Sequence, residues 1–184
     1  SVEDEIRKVK DELRRVNEKS TRDSKRVRDR METVNRESEK RARDVKKRIK
    51  EVLDKIRERG VDEEKLERLR EIVERIEEEL DRVLEESKKL VKDVEETNRR
   101  VNRDSERESE RIMTELDKVK DDVKDKRLAD DVLRKVRDEI RKIEEDNREV
   151  LRRSEDILRK IKERNKKVLD DVRRKIDKAR RDAE

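Results

Sequence analysis

Along residues 2–56 one class of position recurs in steps of four and three. It runs Val2, Ile6, Val9, Leu13, Val16, then Ser20, Ser24, Val27, Met31, Val34, then Ser38, Ala42, Val45, Ile49, Val52, Ile56. Each cycle is 18 residues, as from Val2 to Ser20 to Ser38 to Ile56. That equals five turns at about 3.6 residues per turn, so the stripe stays on one face of a straight α-helix. A heptad stripe would drift and impose a left-handed supercoil; this period imposes almost none. The spacing returns in Val83, Val101 and Val119, and in Leu133, Leu151 and Leu169. The residues between them are not copied, so the repeat is geometric.

The stripe predicts where the chain turns. Gly60 is the natural left-handed residue after a long helix. Asp62 suits an N-cap, with Glu63 and Glu64 favourable in the first turn beyond it. The second turn carries no glycine and follows from phase. At about 100° per residue the stripe of residues 66–123 and that of residues 128–179 differ by about 140°. One uninterrupted helix would face its two halves apart, which predicts a break near residues 124–127. The expectation is a single all-α domain of three long, nearly straight helices, about 2–59, 63–123 and 128–183, each roughly 85–90 Å long. Short connections make them antiparallel neighbours, up-down-up.

Polar residues on the stripes raise a second question. Residues 98–112 read NRRVNRDSERESERI, with Val101 the only apolar residue before Ile112. Apart from Ser1, all 13 Ser and Asn residues fall on an inward stripe. In an antiparallel hairpin, facing residues have numbers of nearly constant sum. Turns centred near 61 and 126 make those sums near 122 and 252. Asn17–Ser105, Ser24–Asn98, Asn35–Ser87 and Ser20–Asn102 meet the first. Ser105–Asn147, Asn98–Ser154 and Ser87–Asn165 meet the second. The predicted core therefore contains Asn17, Ser20, Asn102, Ser105 and Asn147; Ser24, Asn98 and Ser154; and Asn35, Ser87 and Asn165. Isolated, such a buried polar group costs on the order of 1–3 kcal/mol; grouped, these groups satisfy one another and disfavour other registers.

Composition changes the picture in two ways. Charged residues make up 62% of the 184 and hydrophobic ones 27%, which alone would suit a disordered chain. The periodic stripe and the near balance of 60 basic against 55 acidic residues argue for a folded one. The charge is also segregated. Residues 1–59 carry net +7, residues 62–124 net −7 and residues 125–184 net +5, which together give the formal +5 of the chain. An acidic middle helix between two basic ones disfavours wrong pairings, although each exposed pair adds under about 1 kcal/mol.

Candidate chemistry is sparse. The chain has no His, Cys or aromatic residue and one Gly. Serine without an activating base is no nucleophile, and no imidazole moves protons near neutral pH. Glu77, Glu78 and Glu79 are consecutive, so on a helix they diverge rather than converge on a metal. No glycine-rich phosphate loop exists. The run KRARDVKKRIK (residues 40–50) and a sequence pI of about 9.3 permit weak electrostatic contact with nucleic acid. Acidic residues interrupt most basic stretches, and no aromatic side chain offers stacking. No run of about 18 apolar residues spans a membrane, and the apolar faces lack interfacial Trp or Phe. The expectation is no catalytic, cofactor-binding or metal site, no nucleic-acid, membrane or small-molecule substrate partner, and a soluble chain without a targeting signal.

An 18-residue period, three helices of nearly equal length, a surface of Lys, Arg, Glu and Asp, and Asn/Ser layers in register form a recognisable combination. It resembles de novo designed parametric straight helical bundles with buried hydrogen-bond networks. The resemblance covers the whole chain and rests on pattern, with no motif to match. It implies a designed scaffold without natural substrate, cytoplasmic in an expression host. The alternative is a designed assembly module that self-associates or joins a partner bundle. The polar middle of the second helix departs from a design made for stability alone.

Overall fold

A computed structural model describes residues 1–121 and 125–183. Three helices pack against one another as an antiparallel three-helix bundle: α1 (Val2–Glu58), α2 (Glu63–Asp121) and α3 (Lys126–Ala183). Hydrophobic periodicity, not propensity alone, holds helices of 57, 59 and 58 residues. Every position of the α1 stripe from Val2 to Ile56 is buried or half-buried.

The α1–α2 connection falls where the sequence predicts it. Gly60 has φ 74° and its N–H closes onto the carbonyl of Arg57. Asp62 precedes α2, and its carbonyl accepts the first helical N–H, from Leu66. A Cβ on Gly60 would meet nothing within 4 Å, so only the backbone conformation requires glycine there. Gly60→Ala is therefore expected to lower the unfolding free energy by about 1–2 kcal/mol in urea titration, without altering helix content. A neutral result would mean that the turn relaxes to another conformation at no cost.

The second connection corrects the sequence expectation. Of the predicted turn at 124–127, Lys124 lies outside the described residues, as do residues 122–123 of the predicted second helix. Lys126 and Arg127 are already helical, so α3 begins two residues before the predicted start at 128. The reason is Asp125, which caps α3: its Oδ1 accepts the N–H groups of Arg127 (3.1 Å) and Leu128 (3.3 Å).

The chain forms two compact units, each built from a part of all three helices. Unit 1 comprises residues 1–29 and 93–155; unit 2 comprises residues 30–92 and 156–184. In unit 1 the antiparallel order is fixed by Lys10 on Asp117 and Ser24 on Asn98, and by Asn98 on Ser154 and Arg111 on Glu139. Its apolar core is Ile6, Val9 and Leu13 of α1, Ile112 and Leu116 of α2, and Leu133, Val136, Ile140 and Ile143 of α3. In unit 2 the same order appears in Glu39 with Lys88, Lys46 with Asp81, Glu86 with Arg164 and Glu79 with Lys175. Its core gathers Val45, Ile49, Ile76, Leu80, Leu169, Val172 and Ile176, with Ile56, Leu66 and Leu69 in a further cluster. Asp81, Glu79, Glu86 and Asp117 each set an α2 carboxylate against a cation of α1 or α3, the pairing that the charge segregation favours.

Candidate functional site in the buried Asn and Ser layers

All 13 Ser and Asn residues beyond Ser1 are buried or half-buried. Buried side-chain polar groups need partners, so each layer is judged by which of its donors and acceptors are used.

The layer of unit 2 is complete. Asn165 of α3 donates through Nδ2 to Ser38 Oγ of α1 (2.6 Å) and accepts at Oδ1 from Ser87 Oγ of α2 (3.1 Å). One amide thus joins three helices with both of its functions, and the three residues are 2–7% exposed.

A second layer, in unit 1, centres on Asn98 of α2. Its Nδ2 donates to Ser154 Oγ of α3 (3.1 Å) and to its own Val94 carbonyl (2.8 Å); its Oδ1 accepts from Ser24 Oγ of α1 (3.3 Å). Ser154 passes its proton to the Val150 carbonyl (2.7 Å). One turn along, Asn102 Oδ1 faces Ser20 Oγ (3.1 Å) and Ser24 Oγ (3.4 Å). Ser24 has one proton and two acceptors, so its donation alternates between Asn98 and Asn102.

The third layer, also in unit 1, is incomplete. Ser105 Oγ donates to Asn147 Oδ1 (3.0 Å). Asn17 Nδ2 donates to Ser109 Oγ (2.7 Å), which donates on to the Ser105 carbonyl (2.7 Å). Asn17 Oδ1 and Asn147 Nδ2 are buried and have no hydrogen-bond partner among the described residues.

Two pairings expected from the sequence are corrected here. Asn17 meets Ser109 and not Ser105. Helical side chains lean toward their own N-terminus, so on antiparallel helices they lean past each other. Asn17 leans toward Ser1, the end at which α2 numbers rise, and Ser109 leans back toward it. Asn35 does not hydrogen-bond Ser87; Ser38 occupies that layer through Asn165. Asn35 lies one position past the stripe residue Val34 and is only half-buried. Ser38 and Ser109 are not among the pairs that counting predicts. The 18-residue step from Ser20 to Ser38 was the signal for the first.

These differences imply opposite responses to substitution. Asn17→Leu removes a buried carbonyl oxygen without a partner and leaves Ser109 its donation to Ser105. It is expected to raise the unfolding free energy by about 1 kcal/mol, read as a shifted urea midpoint at constant m-value. A loss of similar size would mean that Asn17 Oδ1 is satisfied in solution.

The charged surface is held by local contacts. Lys10 Nζ hydrogen-bonds Asp117 (2.5 Å), and this contact, then the lysine's charge, holds the Asp117 carboxyl below its usual range. Lys88 is pushed up by its hydrogen bond to Glu39 and then by that residue's charge. Arg111 is pushed up chiefly by hydrogen bonds to Glu108 and Glu139. Because the folded-state pKa of Asp117 is depressed, its contribution is present above the unfolded value, near about 4, and disappears as pH falls through the folded value. With no His in the chain, no side chain of ordinary pKa changes charge between about pH 5 and 8. The expected melting temperature is flat across that range and falls below about pH 4, with a shallower acid limb in Asp117→Asn. A step between pH 5 and 8 in a thermal-denaturation series would contradict this.

The layers offer neutral amides and hydroxyls from three helices, with no nucleophile–base pair among them. Among the described residues no cluster of three or more His, Cys, Asp or Glu would hold a metal, and Glu79 is engaged by Lys175 (3.1 Å). No described helix is long and apolar enough to cross a membrane. No protein-family model, curated protein or solved structure matches the chain.

Proposed function

We propose that the chain is a de novo designed structural scaffold, without a natural substrate or catalytic activity, whose Asn and Ser layers fix the register of its helices. The observation that carries this reading is the placement of polar residues: 13 Ser and Asn lie inward while Lys, Arg, Glu and Asp cover the outside. A polar group inside a helical bundle lowers stability unless its partner stands opposite. A layer therefore penalises every register but one, and an apolar stripe tolerates slippage. The complete Ser38–Ser87–Asn165 layer supports this role most directly. The unperturbed 18-residue period and the segregated helix charges support a designed origin.

A self-associating or partner-binding module is the competing reading. The large apolar side chains exposed among the described residues are Ile72 (37%) and Leu128 (51%). Single exposed residues do not make the contiguous apolar patch that stable association uses. This favours a scaffold whose layers form within one chain and that needs no partner, nucleic acid or membrane.

The register role is tested by pulsed dipolar spectroscopy between spin labels at Arg14 and Arg107, which stand on the surfaces of α1 and α2 in unit 1. The native chain is expected to give one narrow distance distribution. A variant with Ser20, Ser24, Asn98, Asn102 and Ser154 all made apolar is expected to remain helical and give a broadened or shifted one. An unchanged narrow distribution in that variant would remove the register role.

A further inference from the structure

The helix formed by the basic run KRARDVKKRIK (residues 40–50) sends its charges in different directions. Ala42, Val45 and Ile49 turn into the core of unit 2. Lys46 lies on the α2 side and pairs with Asp81 (2.7 Å). Arg41 and Arg48 lie on the α3 side, where Arg173 joins them.

The seams of unit 2 differ in charge. α2 brings carboxylates to both of its neighbours, as in Asp81 with Lys46 and Glu79 with Lys175. The α1–α3 seam has no acidic helix. Its α1 part, residues 30–58, carries 11 basic and 7 acidic side chains, and its α3 part, residues 156–183, carries 12 and 6. In this seam Arg41, Asp44 and Arg48 of α1 and Arg173 of α3 line a cavity of about 170 Å³, closed on the core side by Val45 and Ile176. Three guanidiniums stand against one carboxylate. Among the described residues Arg41 and Arg173 pair with no acidic side chain, and Arg48 stands 3.7 Å from Asp177, beyond hydrogen-bond length.

Like charges on adjacent helices repel, and an anion between them turns that repulsion into attraction. A guanidinium presents its donors as a planar fork that matches two phosphate oxygens at once. The lining is net +2 with Asp44 counted, which calls for a polyvalent anion rather than a chloride or a single carboxylate. In proportion to apolar cavities of about 150 Å³ that accept benzene, the space takes about seven non-hydrogen atoms. That is more than one phosphate group and most of a diphosphate.

We propose that the α1–α3 seam of unit 2 is a binding site for a diphosphate group, held by Arg41 and Arg48 of α1 together with Arg173 of α3. None of these residues belongs to a polar layer, so the site stands apart from the scaffold reading.

Inorganic pyrophosphate is the probe, titrated into the intact chain at low ionic strength, where surface charges are least screened, and followed by NMR of the arginine Nε–Hε signals. Saturable shifts centred on Arg41, Arg48 and Arg173 are expected, with a Kd on the order of 1 mM for solvent-exposed charge-assisted bonds. Arg173→Gln is expected to weaken binding about 5- to 10-fold, the effect of one charged donor discounted for exposure. Arg174→Gln removes the same charge from the outer face of α3, where Arg174 already pairs with Asp171 (3.1 Å), and is expected to change affinity by less than about 2-fold. ADP carries the same group on a nucleoside. With no aromatic side chain to stack its base, it is expected to bind no more tightly than pyrophosphate. Tighter binding of ADP would overturn the assignment to the diphosphate group. Equal losses in Arg173→Gln and Arg174→Gln, or shifts spread over the arginines of all three helices, would mean general charge attraction and overturn the site. No saturation at pyrophosphate concentrations well above that Kd would overturn it as well.

Discussion

Replacing Leu116 by Ala is expected to lower the unfolding free energy by about 3–5 kcal/mol. Leu116 is fully buried, in a cluster with Leu13, Ile112 and Leu133 that are themselves 0–1% exposed. The cost of such a truncation depends on how far neighbours relax into the space. Here relaxation is limited on one side. Beyond Leu13 the inward positions of α1 become Val16, Asn17 and Ser20, and before Ile112 those of α2 become Ser105 and Ser109. On that side α1 and α2 offer no large apolar side chain to move in, and Ile143 of α3 is the cluster's one remaining candidate. Urea denaturation checks the value, with Leu128→Ala as the control, since a side chain 51% exposed is expected to change stability by less than about 0.5 kcal/mol. Equal effects at the two sites would mean that the unit 1 core is not packed as described.

Asn165→Leu is expected to be nearly as damaging, at about 2–4 kcal/mol, although it puts an apolar residue into a bundle core. Removing the amide leaves Ser38 Oγ without its donor and Ser87 Oγ without its acceptor, and both residues are buried. Each stranded hydroxyl costs about 1–3 kcal/mol. Back-donation to the helix carbonyl four residues earlier, as Ser154 and Ser109 already make, recovers part of that. Replacing all three residues by apolar ones at once is expected to recover most of the loss, because the penalty lies in unpaired groups and not in missing bonds. A triple variant as damaged as the single one would place the cost in packing instead. Opposite signs for Asn165→Leu and Asn17→Leu would separate a complete layer from an incomplete one.

Much of this arrangement can be read from the order of residues, for identifiable reasons. Helical phase is rigid over many turns, so the stripe from Val2 to Ile56 marks the buried face of α1 throughout. Gly60 marks a turn because glycine adopts the left-handed conformation at little cost and other residues do not. With that turn placed, facing residues follow by counting, and Ser20 with Asn102, Ser24 with Asn98 and Ser87 with Asn165 are found that way. Counting fails where a side chain reaches a full turn along the axis, as at Asn17. It also fails where a residue sits beside the stripe, as at Asn35. The cap at Asp125 is hidden because aspartates recur throughout the chain and only the backbone shows which one lies at a helix start. The arginine site is hidden more deeply. It depends on which charges of residues 40–50 meet a carboxylate across a seam, as Lys46 does and Arg41 does not, a matter of side-chain reach that charge patterning does not encode.

Whether one chain closes its own polar layers is tested most directly by sedimentation equilibrium over a wide concentration range. The scaffold reading, in which one chain supplies all three helices of each layer, predicts a concentration-independent mass of 22.6 kDa. A stable multiple of that mass would contradict it, and would require the Asn and Ser pairs to be reassigned as contacts between chains.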